Sequence, residues 1–245
     1  DGHHQAADHS TMHVISQLCG LPGSARLRRE YDPDRGRHHL AAGSEIRWNT
    51  GAARHSVPGM SLDPTTPPPI EPDSKDWTWV LERPCRDCGF DAATIDVVST
   101  GDEVRRIGVR FAELLADPLA RVRPDEQQWS ATEYACHVRD VFRLFDTRLG
   151  LMLDQDDPLF ANWDQDVTAV EDGYATQDPA TVAAELRAAG DVIAASFDGV
   201  TDEQRSRVGR RSDGAVFTVD SFARYFLHDP VHHVWDVEQG YARLA

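Results

Sequence analysis

The chain of 245 residues has no long hydrophobic run, a single lysine and only four cysteines. No apolar stretch approaches the ~20 residues that a membrane-spanning helix needs. No charged start followed by an apolar core opens the chain as a secretory signal would. Four cysteines are too few for a disulfide-stabilised scaffold. From these absences we expect a soluble, cytoplasmic protein.

Negative charge is concentrated outside the first quarter of the chain. The formal net charge is −16 at pH 7, and residues 1–59, with seven Arg and six Asp or Glu, contribute +1 to it. The remaining residues therefore carry −17. A domain this acidic repels both the phosphate backbone of nucleic acids and anionic membrane surfaces. We expect neither nucleic acid nor a membrane as a partner.

The N-terminal part of the chain differs in composition from the rest. Seven of the eleven histidines precede Met60, and this stretch shows no sustained periodicity. The proline-rich residues 61–70 that follow are typical of an extended lead-in. We interpret residues 1–75 as a disordered or non-native N-terminal extension, with the natural start at Met60. A native disordered tail is the alternative. Residues 76–245 form the predicted domain.

Four segments with helical periodicity predict an all-α fold. Apolar residues recur at helical spacing over about residues 99–116, 130–154, 178–197 and 218–238. Ser130 and Glu133 form a capping box at the start of the second segment. A long crossover joins helices 2 and 3, and a short hairpin with its turn at residues 212–214 precedes helix 4. The pattern predicts a four-helix bundle.

Three histidines are placed to meet in the core of this bundle. His228 and His232 are four residues apart, so on a helix both imidazoles leave the same face. His137 interrupts the apolar stripe of helix 2, and a buried imidazole needs hydrogen-bond partners or a metal. We predict that His137, His228 and His232 bind one divalent ion, zinc or nickel, with open coordination positions. Ordinary histidines, packed or solvated, are the alternative.

Neighbouring residues have candidate supporting roles. Asp140 and Asp236 lie one helical turn after His137 and His232, where each carboxylate could hold the distal nitrogen of the histidine. A solvated helix face is the alternative for both. His233 follows His232 directly and points about 100° away. We expect His233 to be exterior or an outer partner rather than a ligand.

Cys85 and Cys88 form a CxxC motif without a second cysteine pair. A structural zinc site usually needs four ligands, and Cys136 could supply only one more. We interpret the pair as incidental thiols in a surface loop. A labile disulfide and half of an intermolecular zinc clip are the alternatives. A thioredoxin-like role needs a strand-to-helix context that the sequence does not show.

Two segments, Trp129–His137 and Tyr225–Asp236, resemble the DinB-like superfamily, and the resemblance covers roughly residues 76–240. Members are metal-binding four-helix bundles related to the mycothiol-dependent maleylpyruvate isomerases and the thiol S-transferases. The family has one metal-binding histidine early in its second helix and an HxxxH pair late in the bundle. Pro230, inside helix 4 and expected to bend it, departs from the family pattern.

The resemblance implies a metal site at one mouth of the bundle, held by His137, His228 and His232. It implies a metal-dependent thiol S-transferase or isomerase whose partners are a small-molecule thiol and an electrophile. A non-catalytic, metal-stabilised bundle acting in stress response or protein interaction is the alternative, and a metal-free binder of small ligands is a third. The sequence identifies no catalytic or other cofactor-binding residue. Dimers are common for such bundles, which leaves a homodimer open.

Overall fold

The structure, a computed structural model, describes residue 70 and residues 76–245. Apart from residue 70, the predicted N-terminal extension lies outside the described residues. The described part contains five α-helices and one antiparallel pair of strands. In chain order they are α1 (Thr100–Leu114), α2 (Ala131–Asp154), α3 (Gln165–Glu171), α4 (Pro179–Asp198), β1 (Val208–Arg210), β2 (Val216–Thr218) and α5 (Val219–Leu244).

The four long helices α1, α2, α4 and α5 form the bundle, which confirms the predicted all-α fold. The most extensive interfaces join α4 to α1 and to α2, and α5 packs against both α1 and α2. Each helix contributes fully buried apolar side chains, among them Phe111, Phe142, Ile193 and Phe226. Each such side chain stabilises the fold by roughly 1.5–3 kcal/mol. Within residues 76–245, no helix combines the length and the apolar composition of a membrane span.

Side-chain caps explain where three of the helices begin. At the start of α2, the Ser130 side chain accepts from the Glu133 N–H, and the Glu133 carboxylate accepts from the Ser130 N–H. Asp178 caps α4, which has Pro179 at its first position. Thr218 caps α5. Each cap contributes about 1 kcal/mol, and all three boundaries agree with those predicted from the sequence.

Two helical features differ from the prediction. The crossover between α2 and α4 contains the short helix α3, which begins because the Asp164 side chain accepts from two backbone N–H groups. Helix α5 runs to Leu244 rather than to Glu238 and continues without interruption through the buried Pro230. Proline removes one N–H from the helix, and the packing of the surrounding α5 side chains in the core holds the helix together across this position.

The segment before α1 runs along α5. It consists of loops and three short 3-10 helices, Trp77–Leu81, Ala92–Thr94 and Val97–Ser99. Each of these 3-10 helices contacts α5. The buried side chains Val80, Cys85 and Phe90 anchor the segment. This packing places the CxxC loop, which lies between the first two 3-10 helices, beside α5.

Candidate metal centre

One stretch of α5 carries four ligand-type side chains in two interleaved pairs. His228 and His232 form one pair, and Asp229 and His233 form the other. Within each pair the spacing of four residues places both side chains on one face of the helix. The offset of one residue turns the second pair about 100° around the helix axis. The two pairs therefore face different parts of the molecule.

Asp229 and His233 face α2 and meet His137 there. One ligand atom from each of these three residues lies within 4.8 Å of the others. His137 Nε2 is 3.4 Å from Asp229 Oδ2, and His233 Nε2 is 3.9 Å from Asp229 Oδ1. The His137 and His233 rings meet edge to face, with centroids 4.8 Å apart. We call His137, Asp229 and His233 the histidine–aspartate cluster.

Two atoms of this cluster are left unsatisfied. His137 Nδ1 and Asp229 Oδ1 are buried and have no hydrogen-bond partner among the described residues. Such atoms cost about 1–3 kcal/mol each. Burial raises the pKa of Asp229, but the neighbouring His137 and His233 outweigh it and lower that pKa to about 2, so the carboxylate is ionised. Two imidazoles and an ionised carboxylate fit a divalent ion.

Contacts around the cluster hold the imidazole rings in place. Asp236 Oδ2 lies 2.8 Å from His233 Nδ1, which leaves Nε2 of that ring directed toward Asp229. A carboxylate on the far nitrogen fixes the tautomer and orientation of a metal-binding histidine. The His137 ring stacks on Trp163, with centroids 5.6 Å apart and planes 19° apart.

The other pair, His228 and His232, faces the CxxC loop. Ligand atoms of Cys85, Cys88, His228 and His232 all lie within 4.8 Å of one another. Cys85 Sγ is 3.6 Å from His232 Nδ1. His228 Nε2 is buried, and nothing in residues 76–245 forms a hydrogen bond with it. We call these four residues the cysteine–histidine cluster.

The structure therefore divides the three histidines that the sequence analysis assigned to one ion. His228 and His232 lie together, as their spacing predicted, whereas His137 lies with Asp229 and His233. The sequence analysis did not consider Asp229, and it expected His233 to be exterior or an outer partner. The available signal was the spacing of four residues between Asp229 and His233, which repeats that of His228 and His232.

The interpretation of the CxxC motif as incidental thiols in a surface loop needs correction. Cys85 is buried, and Cys88 is half-buried. Burial raises the pKa of the Cys88 thiol to about 12, and a backbone hydrogen bond from Phe90 partly offsets this effect. The loop packs on α5 because the segment before α1 follows that helix, a contact that the sequence pattern did not reveal.

Asp140 does not hold His137. Its carboxylate accepts hydrogen bonds from Arg139, Arg143 and the Tyr174 hydroxyl, the last at 2.6 Å. Burial alone raises the pKa of Asp140, but these hydrogen bonds and the arginine charges outweigh it, so the pKa lies below its usual value. Asp140 therefore ties α2 to the crossover.

A cavity of about 290 Å³ opens beside both clusters. Part of its wall consists of two adjacent residue pairs of α5, His228 with Asp229 and His232 with His233. Trp163 of the crossover lines it as well. The cavity therefore gives a small molecule access to Asp229, whose side chain is 33% exposed, whereas the neighbouring His228 is 4% exposed.

Two arginines supply positive charge to the cavity wall. Arg211, in the hairpin turn, is paired with Asp213 and donates to the Tyr225 hydroxyl at 2.7 Å. Arg148 of α2 pairs with none of the carboxylates in the described part of the chain. It donates to the Ala161 carbonyl at 3.1 Å, and burial lowers its pKa. A guanidinium without a carboxylate partner favours an acidic ligand.

Comparisons with known proteins agree with this architecture. No curated protein matches the chain. Among solved structures, YfiT from Bacillus subtilis, described as a probable metal-dependent hydrolase with an unusual four-helix bundle topology, has a similar fold. The TM-score is 0.56 at 17% sequence identity, and the match covers 62% of this chain and 90% of YfiT. The sequence profile of the DinB superfamily matches residues 101–237, which include His137 and both α5 pairs but not the CxxC loop. The chain belongs to the DinB superfamily.

Proposed function

We propose that this protein is a metal-dependent enzyme whose divalent ion is held by His137, Asp229 and His233. The observation that carries the proposal is the close approach of these three side chains. The buried Nδ1 of His137 and Oδ1 of Asp229 have no hydrogen-bond partner in the described residues, and Asp229 and His233 line a cavity. Three protein ligands with an open position are typical of catalytic zinc sites. Zinc and nickel are the expected metals, and ferrous iron also takes two imidazoles and one carboxylate.

The three ligands differ in exposure, with the His233 side chain at 18% between the other two. The Asp229 side chain is 33% exposed and lines the cavity, whereas the His137 side chain is 1% exposed. Asp236 holds His233 from behind. A bound ion would lower the pKa of a thiol or water molecule that reaches it from the cavity.

We propose that the substrate is a small acidic molecule. The support is Arg148, which lines the cavity and forms no ion pair with a described residue. Its guanidinium lies over the rings of Phe145 and Phe160. Partial burial reduces its hydration, so its attraction for a carboxylate is stronger than that of a fully solvated arginine.

For the reaction we propose thiol-dependent transfer or isomerisation, with a low-molecular-weight thiol such as mycothiol attacking an electrophile. The support is membership of the DinB superfamily and the resemblance to thiol S-transferases and mycothiol-dependent isomerases. Metal-dependent hydrolysis is the second candidate, favoured by the description of YfiT as a probable metal-dependent hydrolase. Water would then replace the thiol as the nucleophile.

The full chain, loaded with zinc, nickel or ferrous iron, would be assayed against acidic electrophiles with and without added thiol. We expect product formation that requires both the metal and the thiol, with the thiol consumed in a transfer and regenerated in an isomerisation, and this activity should be lost in His137→Ala and Asp229→Ala. A Glu238→Gln control, on the same helix but in an exposed pair with Arg110, should retain it. Product formed at the same rate without thiol would favour the hydrolase. Purified chain whose metal content is unchanged by both alanine substitutions would overturn the proposed site.

A further inference from the structure

We propose that Cys85, Cys88, His228 and His232 bind a structural zinc ion, separate from the ion of the histidine–aspartate cluster. The ligand atoms of all four residues lie within 4.8 Å of one another. The order and spacing, C-x2-C followed by H-x3-H, are those of closed zinc sites with two cysteines and two histidines. Thiolate and imidazole donors select zinc over magnesium and calcium.

The loop between the cysteines and Phe90 forms a tight turn that serves such a site. The Cys85 N–H donates to the Phe90 carbonyl at 2.8 Å, and the Gly89 N–H donates to the Cys85 carbonyl at 3.0 Å. Gly89 has φ 75°, a left-handed conformation that glycine adopts without the steric cost of a Cβ. The turn brings the Cys85 and Cys88 sulfurs to the same cluster.

The two histidines present ring nitrogens that suit coordination. His232 Nδ1 faces Cys85 Sγ at 3.6 Å, and its Nε2 lies 3.9 Å from Asp236 Oδ1. One nitrogen is thus directed at the sulfurs, and the other has a carboxylate nearby, as is usual for metal-binding histidines. His228 Nε2 is buried without a hydrogen-bond partner in the described residues, and a bound ion would give this nitrogen a partner.

Most of the cluster is covered, which favours a structural role, although Cys88 is half-buried. Cys85 and His228 are 3% and 4% exposed. The rings of Trp77 and Phe90 lie 5.3 and 5.5 Å from the His228 ring, centroid to centroid. With four protein ligands and this aromatic cover, the site has no open position for a substrate.

A zinc ion here would fasten the segment before α1 to α5. Cys85 and His232 are 147 positions apart, so the ion would close a long loop and restrict the unfolded chain. It would also fix the α5 backbone at His228 and His232, each of which is adjacent to a ligand of the histidine–aspartate cluster. The inference uses a different set of ligands from the proposed function, so either can fail alone.

Cobalt substitution of the full chain tests the inference, because cobalt bound by thiolates gives an intense near-ultraviolet charge-transfer band. We expect this band in the wild-type chain and two ions per chain by elemental analysis. The double variant Cys85→Ser/Cys88→Ser should lose the band and one ion. His137→Ala should lose one ion and keep the band. Cys136→Ser, which removes a buried cysteine outside both clusters, should change neither.

A second variant keeps the inference testable if the double variant fails to fold. Cys88→His preserves four ligands but leaves one thiolate, so the band should fall to about half of its intensity per bound cobalt. A wild-type chain without the band would overturn the inference. So would a band that the Cys88 and Cys85 substitutions leave unchanged, or a Cys85–Cys88 disulfide in chain purified with zinc under reducing conditions.

Discussion

The histidine–aspartate cluster and the cysteine–histidine cluster take their α5 ligands from the same two turns of helix and differ in what the neighbouring elements add. Helix α2 adds His137 to one, and the loop before α1 adds Cys85 and Cys88 to the other. In the histidine–aspartate cluster, the Asp229 side chain is 33% exposed. In the cysteine–histidine cluster, the rings of Trp77 and Phe90 lie against His228. A shift of one residue along the helix therefore separates the cluster that we propose to be catalytic from the one that we propose to be structural.

The two clusters also share a residue. Asp236 Oδ2 is 2.8 Å from His233 Nδ1, and Asp236 Oδ1 is 3.9 Å from His232 Nε2. The shorter contact belongs to the histidine–aspartate cluster. Asp236 thus offers a direct way to compare how strongly each cluster depends on its outer partner.

Loss of the proposed structural zinc should have the largest effect on stability. With zinc at about 1,000 times Kd, binding contributes about 4 kcal/mol, which corresponds to about 10 °C in Tm for a domain of this size. A chelator should therefore lower the Tm of the wild-type chain, measured by circular dichroism. The Cys85→Ser/Cys88→Ser variant should melt below the wild type even without chelator. Equal melting temperatures for this variant and the wild type would show that no ion at the cysteine–histidine cluster stabilises the fold.

His137→Ala should weaken metal binding at the histidine–aspartate cluster by at least about 100-fold, since loss of a direct ligand exceeds the 10–100-fold cost of losing an outer partner. Competition with a chromophoric chelator measures this affinity. The cysteine–histidine cluster should keep its affinity. Cys136→Ser, the adjacent position in α2, is the control and should change neither site. An equal loss of metal affinity at both clusters would show that the two clusters do not bind ions independently.

Asp236→Asn should weaken metal binding at the histidine–aspartate cluster by about 10-fold. The effect on the cysteine–histidine cluster should be smaller, because the contact to His232 is longer than the contact to His233. The same competition assay compares the two, with Glu238→Gln as the control on the same helix. A larger loss of metal affinity at the cysteine–histidine cluster would show that Asp236 supports His232 more than His233, contrary to the two distances.

Asp140→Asn should have the smallest effect, about 1 kcal/mol of unfolding free energy, because the amide keeps one accepting oxygen for the surrounding donors. The pKa of Asp140 lies below its usual value in the folded chain. Its contribution is therefore present above the unfolded pKa, about 3.9, and is lost as the pH falls through the folded pKa. Urea unfolding should show a difference between wild type and variant at pH 7 that disappears in acid.

The metal affinity of the Asp140→Asn variant should equal that of the wild type at both clusters. This outcome separates Asp140, which bonds to Arg139, Arg143 and Tyr174, from Asp236, which contacts the ligands. Weaker metal binding in the Asp140 variant would restore the prediction that this carboxylate supports His137.

The sequence by itself determined the four-helix fold and most helix boundaries. Apolar periodicity and the capping residues Ser130, Asp178 and Thr218 act over a few neighbouring residues, so they can be recognised without the fold. The sequence also determined that His228 and His232 lie together, because helical spacing alone brings them to one face. The short helix α3 was missed because it has no buried side chain and hence no apolar stripe.

Only the tertiary structure decided which side chains meet across segments. Helical geometry fixes two pairs on α5 about 100° apart, but it does not say what packs on each face. The packing of α2 brings His137 to Asp229 and His233, and the packing of the segment before α1 brings Cys85 to His232. These contacts join residues 92 and 147 positions apart, and the burial of the whole core, rather than any local pattern, selects them.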